Sequence, residues 1–164
     1  MAIIKDIQAY FDEHCLDNSL LFKLYCTSNR SVVELIIEPT EFFWAGMNPL
    51  GEDGVMRRHF RKFKFYNISE ESFDNVRDSH DDCHVYKATV QDQRAFSVDE
   101  FIVSKGLNKY FINLPIESFG VIHFAFESMS VEERITTVRQ LSTDEWEYRD
   151  ASTNALIDFY NPFG

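Results

Sequence analysis

The stretch 78–84 holds the side chains best suited to metal chemistry, with two histidines, one cysteine and three aspartates. Imidazole, thiolate and carboxylate groups are the ligands that zinc and similar ions take in proteins. However, residues 85–90 have the composition of a strand, and in a strand His80 and His84 would lie too far apart to share one ion. We therefore predict no metal and no cofactor, and we interpret the stretch as an acidic turn that enters a strand.

Two other arrangements contain residue types that perform acid–base or nucleophilic catalysis. His123 and Glu127 fall on the polar face of a predicted strand, as a base and the carboxylate that orients it would. Cys83 and His84 are adjacent, so in a strand their side chains would point to opposite faces. Serine-nucleophile, phosphate-loop, dinucleotide and HExxH motifs are missing from the chain. We therefore name no catalytic residue, interpret His123 and Glu127 as part of an ordinary polar face, and favour a protein that is not an enzyme.

Residues 57–64 contain five cations and no acid, and aromatic residues are interleaved with them from Phe60 to Tyr66. Proteins that bind single-stranded nucleic acids use such a pattern to follow phosphates and stack bases. The whole chain nevertheless has 27 acidic and 16 basic residues, for a formal charge of -11, which opposes binding to polyanions. We interpret the cations as one face of a strand that pairs with nearby acids, and we expect no nucleic-acid partner.

The region 40–55 is the longest part of the chain without helical or strand periodicity. Loops of this length are uncommon in compact domains and are often functional. Its three consecutive aromatic residues either form a lid over one end of the sheet or present an apolar contact to a partner. We rank the region as the best interaction candidate in the chain. The predicted partner-binding residues are Glu41, Phe42, Phe43, Trp44, Glu52 and Asp53.

Alternating apolar residues predict an antiparallel sheet around the segment 120–127. In that segment Ile122, Phe124 and Phe126 fall on one face and His123 falls on the other. The same alternation predicts the other strands, of which the first two form a hairpin and the last ends at Pro115. These strands are 20–27, 32–38, 57–68, 85–90 and 109–114.

Helical spacing and capping-box motifs, in which a hydroxyl residue precedes a glutamate by three positions, predict the remaining elements. They indicate helices over 3–15, 98–105 and 131–141, and a further helix from Ser142 toward Phe159. The β-branched run 136–138 leaves a strand open as the alternative for 131–141. The predicted fold is α+β: an antiparallel sheet of about six or seven strands, with an N-terminal helix and C-terminal helices packed against it. A sandwich with short helices is the alternative architecture.

Composition predicts a single globular domain over residues 1–164, in the cytoplasm and without membrane contact. The chain has no apolar run long enough for a membrane span and no signal-peptide pattern at its start. Its three cysteines, Cys15, Cys26 and Cys83, are an odd number with no CxxC pair, which favours reduced and mostly buried thiols.

Size, acidity and the lack of catalytic motifs favour a small acidic non-catalytic binding protein that neutralises or inhibits another protein. Immunity proteins, antitoxins and phage-encoded inhibitors are proteins of this type, and the expected partner is a basic protein. A structural or assembly component, in which the chain forms an oligomer, is the first alternative. An enzyme or small-ligand binder whose site is assembled only by the fold is the second alternative.

Replacement of Trp44 tests the role of the region 40–55. If Trp44 is a central anchor, Trp44→Ala should weaken partner binding by roughly 30-fold or more through faster dissociation. Glu52→Lys should instead slow association, most visibly at low salt. Thermal melts control for folding. A variant that loses several kcal/mol of stability and binds unchanged after refolding would show that the region is a lid on the core.

Overall fold

An antiparallel β-sheet forms most of the structure, a computed structural model that describes residues 2–26, 31–39, 56–72, 86–87, 97–117, 120–143, 145–158 and 162–163. The described part has one helix, α1 (Ile7–Glu13). Its thirteen strands are β1 (Ala2–Ile3), β2 (Ser19–Cys26), β3 (Val32–Glu38), β4 (Met56–Tyr66), β5 (Ser69–Ser72), β6 (Tyr86–Lys87), β7 (Ser97–Val98), β8 (Ile102–Lys105), β9 (Tyr110–Ile116), β10 (Gly120–Phe126), β11 (Ser128–Gln140), β12 (Trp146–Asp150) and β13 (Leu156–Ile157).

The sheet closes on itself because two long stretches of chain each supply two consecutive strands. β4 leads into β5 and β10 leads into β11, and these stretches pair twice, β4 with β11 and β5 with β10. From β10 the hydrogen-bonded order continues through β9, β7, β2 and β3 and returns to β4. β12 and β13 extend the sheet beyond β11, outside the closed part.

Aromatic side chains fill the interior of the closed part. Phe65 lies with its ring centre 5.2 Å from that of Phe124 and 4.8 Å from that of Phe126. Phe63, also fully buried, continues the row from Phe65 along β4. The alternation of β4 and β10 places these rings on one face, and burial of a phenylalanine ring stabilises the fold by roughly 1.5–3 kcal/mol.

The helix α1 packs against this aromatic interior. Phe11 contacts the rings of Phe63 and Phe101, at centroid distances of 6.2 and 6.1 Å. The helix begins where the Asp6 carboxylate accepts a hydrogen bond from the Ala9 N–H at 3.0 Å. It is shorter than the predicted 3–15, because the two residues of β1 pair with β11 instead.

The predicted α+β fold is wrong, because the segments expected to form helices after α1 are strands. The predicted helix 131–141 lies in β11, the helix from Ser142 is replaced by β12 and β13, and the helix 98–105 is replaced by β7 and β8. Most described residues therefore belong to one antiparallel sheet with a single short helix.

The capping-box motif at Ser130 shows why the prediction failed. The Ser130 hydroxyl lies 3.0 Å from the Tyr66 hydroxyl, and Glu133 pairs with Arg61, so both side chains bond across to β4. These partners are distant in sequence. The β-branched run 136–138, which left a strand open, agrees with the observed strand.

The strand predictions up to residue 127 are confirmed with small shifts, except that only residues 86–87 (β6) of the predicted strand 85–90 lie in the described part. β2 and β3 form the expected antiparallel pair, and β4, β9 and β10 cover the expected strands at 57–68, 109–114 and 120–127. Ile122, Phe124 and Phe126 are buried, while His123 is exposed. Pro115 does not end its strand: β9 continues to Ile116, and the Pro115 carbonyl accepts a hydrogen bond from the Asp99 N–H at 2.8 Å.

Truncation of the central ring tests this packing. Phe65 is fully buried between Phe124 and Phe126, so Phe65→Ala should lower the free energy of unfolding by about 3–5 kcal/mol. Leu107, which is 94% exposed at the turn between β8 and β9, is the control, and Leu107→Ala should change stability by less than about 0.5 kcal/mol. Urea unfolding of both variants measures the difference, and equal effects would contradict the described core.

Candidate functional site

A cleft of about 520 Å³ opens beside the edge of β11 and is the candidate functional site. Its volume falls in the range of pockets that hold small ligands or protruding side chains. The cleft combines apolar, cationic, acidic and imidazole side chains. It is lined by His59, Phe60, Glu133, Arg134, Ile135, Asp150, Ala151 and Ser152.

The cleft lies where β11 loses its neighbours on one edge. On that edge β1 pairs with residues 130–131 and β12 pairs with 136–140, and no described strand pairs with 132–134. The carbonyls of Met129 and Ile135 accept hydrogen bonds on this edge, from the N–H groups of Ile4 and Ala151. Backbone groups of alternate residues face one edge of a strand, so the Glu133 N–H and carbonyl also point to it.

A buried arginine fixes one carboxylate in the cleft. The Arg61 side chain is 3% exposed, and its Nε donates a hydrogen bond to Glu133 Oε1 at 2.6 Å, while its Nη2 contacts the same oxygen. The Glu133 side chain is 51% exposed. Among the described residues, no donor contacts Glu133 Oε2. The second carboxylate oxygen is therefore available at the surface of the cleft.

His59 lies on the same face of the sheet as Glu133, because it stands opposite Ile135 in the register of β4 and β11. Burial lowers the pKa of the His59 imidazole, nearby Glu133 opposes this shift in part, and Arg57 adds to it. The lowered pKa favours the neutral form of the imidazole and so reduces the positive charge in the cleft.

On the opposite face, Arg134 and Asp150 separate this cleft from a second one of about 460 Å³. Arg134 Nε lies 3.4 Å from Asp150 Oδ2, and the guanidinium stacks 5.8 Å from the centre of the Phe163 ring. Asp150 Oδ1 accepts hydrogen bonds from the Ser152 hydroxyl and from the N–H groups of Ser152 and Thr153. These bonds lower the pKa of Asp150 to about 2, so it is ionised across the physiological range.

Four of the five cations of 57–64 pair with acids of the same sheet, as predicted, but the predicted single face is wrong, because Arg57 and Arg61 lie on one face of β4 and the other three cations lie on the opposite face. Each of these four acids lies on β3 or β11, the two strands that flank β4. Such pairs add little stability when exposed, but they neutralise the cations. The pairs are Arg58–Glu38, Arg61–Glu133, Lys62–Glu132 and Lys64–Glu34.

The predicted partner-binding residues lie outside the described residues, so their assignment stays a prediction. They are Glu41, Phe42, Phe43, Trp44, Glu52 and Asp53. The stretch 78–84, considered for metal, also lies outside them. Within the described ranges, no group of three or more His, Cys, Asp or Glu side chains is placed to hold a metal ion.

The other residues considered for chemistry do not come together with the cleft. His123 and Glu127 are both exposed on β10 and its continuation, and Glu127 Oε2 accepts a hydrogen bond from Asn67 Nδ2 at 3.0 Å. Cys26 is buried as expected, whereas Cys15 is exposed.

Sequence reasoning missed the cleft residues His59, Ile135 and Asp150. The turn 150–155 was missed because a helix was predicted there. Its residues Asp, Ser, Thr and Asn are typical of turns, and this composition could have indicated the turn. No local signal could place His59 beside this turn, because they are about ninety positions apart in the chain.

Comparison with protein-family models, with curated protein sequences and with solved structures finds no match to this chain. Within the described ranges, no helix has the length and apolar composition needed to cross a membrane. Function must therefore be argued from the site and the charge distribution.

The hydrogen bonds to Asp150 predict a specific acid dependence of stability. Its pKa in the folded protein is about 2, against an ordinary value of 3.8, so the stabilisation is present above about pH 4 and is lost as pH falls towards 2. Asp150→Asn should therefore show a smaller loss of stability between pH 4 and pH 2 than the wild type, measured by urea unfolding. Asp12→Asn, on the exposed surface of α1, is the matched control. Identical pH curves for Asp150→Asn and the wild type would contradict this role.

Proposed function

We propose that this chain is a non-catalytic binding protein that binds a basic protein in the cytoplasm and neutralises or inhibits it. Proteins of the immunity, antitoxin and phage-inhibitor type act in this way. The observation that carries the proposal is the internal pairing of the sheet cations, since it leaves the acidic excess of the chain for an external partner.

The charge balance supports an acidic contact surface. Seven ion pairs join described residues, and they involve seven different bases and seven different acids. Each pair uses one acid and one base, so internal pairing leaves the formal charge of -11 of the whole chain unchanged. An acidic excess of this size attracts a cationic protein, raises its association rate and repels nucleic acid.

The cleft beside β11 supports a second candidate function, that of a protein that binds a small ligand. Its volume of about 520 Å³ and its mixture of apolar and polar walls are typical of ligand pockets. Its imidazole and two carboxylates would then orient the ligand, which is the role that fold-assembled polar groups have in such pockets.

Affinity purification from the native host tests the first proposal. The tagged chain should co-purify a basic protein in a stoichiometric amount, and titration calorimetry with the two purified proteins should give a 1:1 complex. Its affinity should fall as salt is raised from about 0.05 to 0.5 M, because opposite surface charges are screened. The activity of the partner should fall when the complex forms.

Two results would contradict the proposal. One is a stoichiometric partner whose binding does not depend on salt, which would remove the role of the acidic excess. The other is the absence of a protein partner together with stabilisation of the chain by a small molecule in a thermal-shift screen, which would favour the second candidate.

A further inference from the structure

The cleft offers three groups to a ligand on one face of β11. Glu133 contributes a carboxylate oxygen, Oε2, to which no described residue donates a hydrogen bond, and it contributes its backbone N–H and carbonyl at the strand edge. Ile135, two positions further on the same face, is 37% exposed and forms an apolar wall. A carboxylate, a strand edge and an apolar wall are brought together within three residues.

Each group selects one feature of a ligand. The backbone N–H and carbonyl of Glu133 together match the carbonyl and N–H of one residue in an extended peptide, as in an antiparallel hydrogen-bonded pair. A residue in that position has its side chain on the same face as Glu133, with Cβ atoms about 5.5 Å apart. A long cationic side chain would then reach Oε2, and its alkyl stem would contact Ile135.

We infer that the cleft binds a lysine or arginine side chain carried on a short extended segment of the partner protein, with the cation at Glu133 and the segment at the edge of β11. This inference rests on the proposed function, since it names the part of a basic partner that the chain recognises.

The surrounding charges are compatible with a cation at this position. Burial lowers the pKa of His59, on the same face, which favours its neutral form. Arg61 is buried and bound to Oε1, so its charge is already compensated by the same carboxylate. Arg134 projects to the opposite face, where it pairs with Asp150 and stacks on Phe163. A ligand cation therefore meets an acceptor at Glu133, while Arg57, the remaining cation of β4 on this face, stands opposite Thr137, four positions along β11 from Glu133.

The flanking strands limit the length of the bound segment. β1 pairs with β11 up to Val131, and the Ala151 N–H already donates a hydrogen bond to the Ile135 carbonyl. Only the positions opposite 132–134 are open among the described strands. The partner therefore contributes one to three residues in extended form, as the tip of a loop or a chain end does, and not a long added strand.

Two matched blocked peptides test the inference by NMR titration of the ¹⁵N-labelled full chain. One is acetyl-Val-Lys-Val-amide, and in the other norleucine replaces lysine, which keeps the alkyl stem and removes the charge. The lysine peptide should shift the amide signals of Glu133, Ile135 and Ala151 and should bind about tenfold or more tightly than the norleucine peptide. Equal binding of the two peptides, or shifts confined to other residues, would overturn the inference.

Two variants at Ile135 separate charge from packing without breaking the Arg61–Glu133 pair. Ile135→Lys and Ile135→Glu remove the same apolar wall but place opposite charges beside Glu133. The lysine variant should weaken binding of the lysine peptide about tenfold or more relative to the glutamate variant, because its own cation competes for Oε2. Thermal melts of both variants verify folding, and equal weakening by the two substitutions would overturn the inference.

The result also distinguishes this inference from the proposed function. If a basic protein partner binds with the expected salt dependence but Ile135→Lys and Ile135→Glu bind it equally, the function holds and the cleft is not the recognition site. If the lysine peptide binds the cleft and no protein partner exists, the cleft recognises a cation and the proposed function is wrong.

Discussion

The antiparallel ladder between β4 and β11 is the constraint on which the rest of the structure depends. It joins eleven consecutive residue pairs, from Ser128 with Tyr66 to Val138 with Met56. β4 continues into β5, and β10 continues into β11. Because β5 pairs with β10, the same two stretches of chain also close the sheet around the aromatic interior. Beyond the closed part, β11 supplies the edge on which β1, β12 and the cleft are built. One register therefore determines both the core and the site.

The register also explains why charged residues stand inside a sheet rich in aromatics. Each residue of β4 faces a residue of β11, so Arg61 stands opposite Glu133 and Lys62 stands opposite Glu132. Transfer of an arginine side chain from water into a protein interior costs free energy unless a carboxylate pairs with it. Glu133 pairs with the buried Arg61 through one carboxylate oxygen. The geometry of that pair then holds Glu133 at the wall of the cleft. The ion pair that the buried Arg61 requires therefore also determines which side chain lines the cleft.

Sequence reasoning found the parts of the fold that depend on local alternation and missed those that depend on distant partners. Phe63 and Phe65, like Phe124 and Phe126, alternate with polar residues, and the period of two identifies their strands without a structure. In β11, the spacing of Val131, Ile135 and Val138 fits a helix, and only the β-branched run 136–138 favoured a strand. The decision comes from pairing with β4, about seventy positions earlier in the chain, where an eleven-residue ladder and the packing across it outweigh local propensity.

The same contrast between local and distant information holds for the site. The sequence shows which of its residues are charged, but it does not show how the fold brings them together. An open strand edge is usually a liability, because unpaired backbone groups invite pairing with other chains. Here β1 and β12 approach from both ends and leave only 132–134 open among the described strands, and Glu133 places a carboxylate at that opening. A short, charged opening disfavours edge-to-edge aggregation, since a second copy would bring its own carboxylate to the same place. The same carboxylate is the group that we propose for binding a cationic segment, so one side chain would both disfavour pairing between copies and select the ligand.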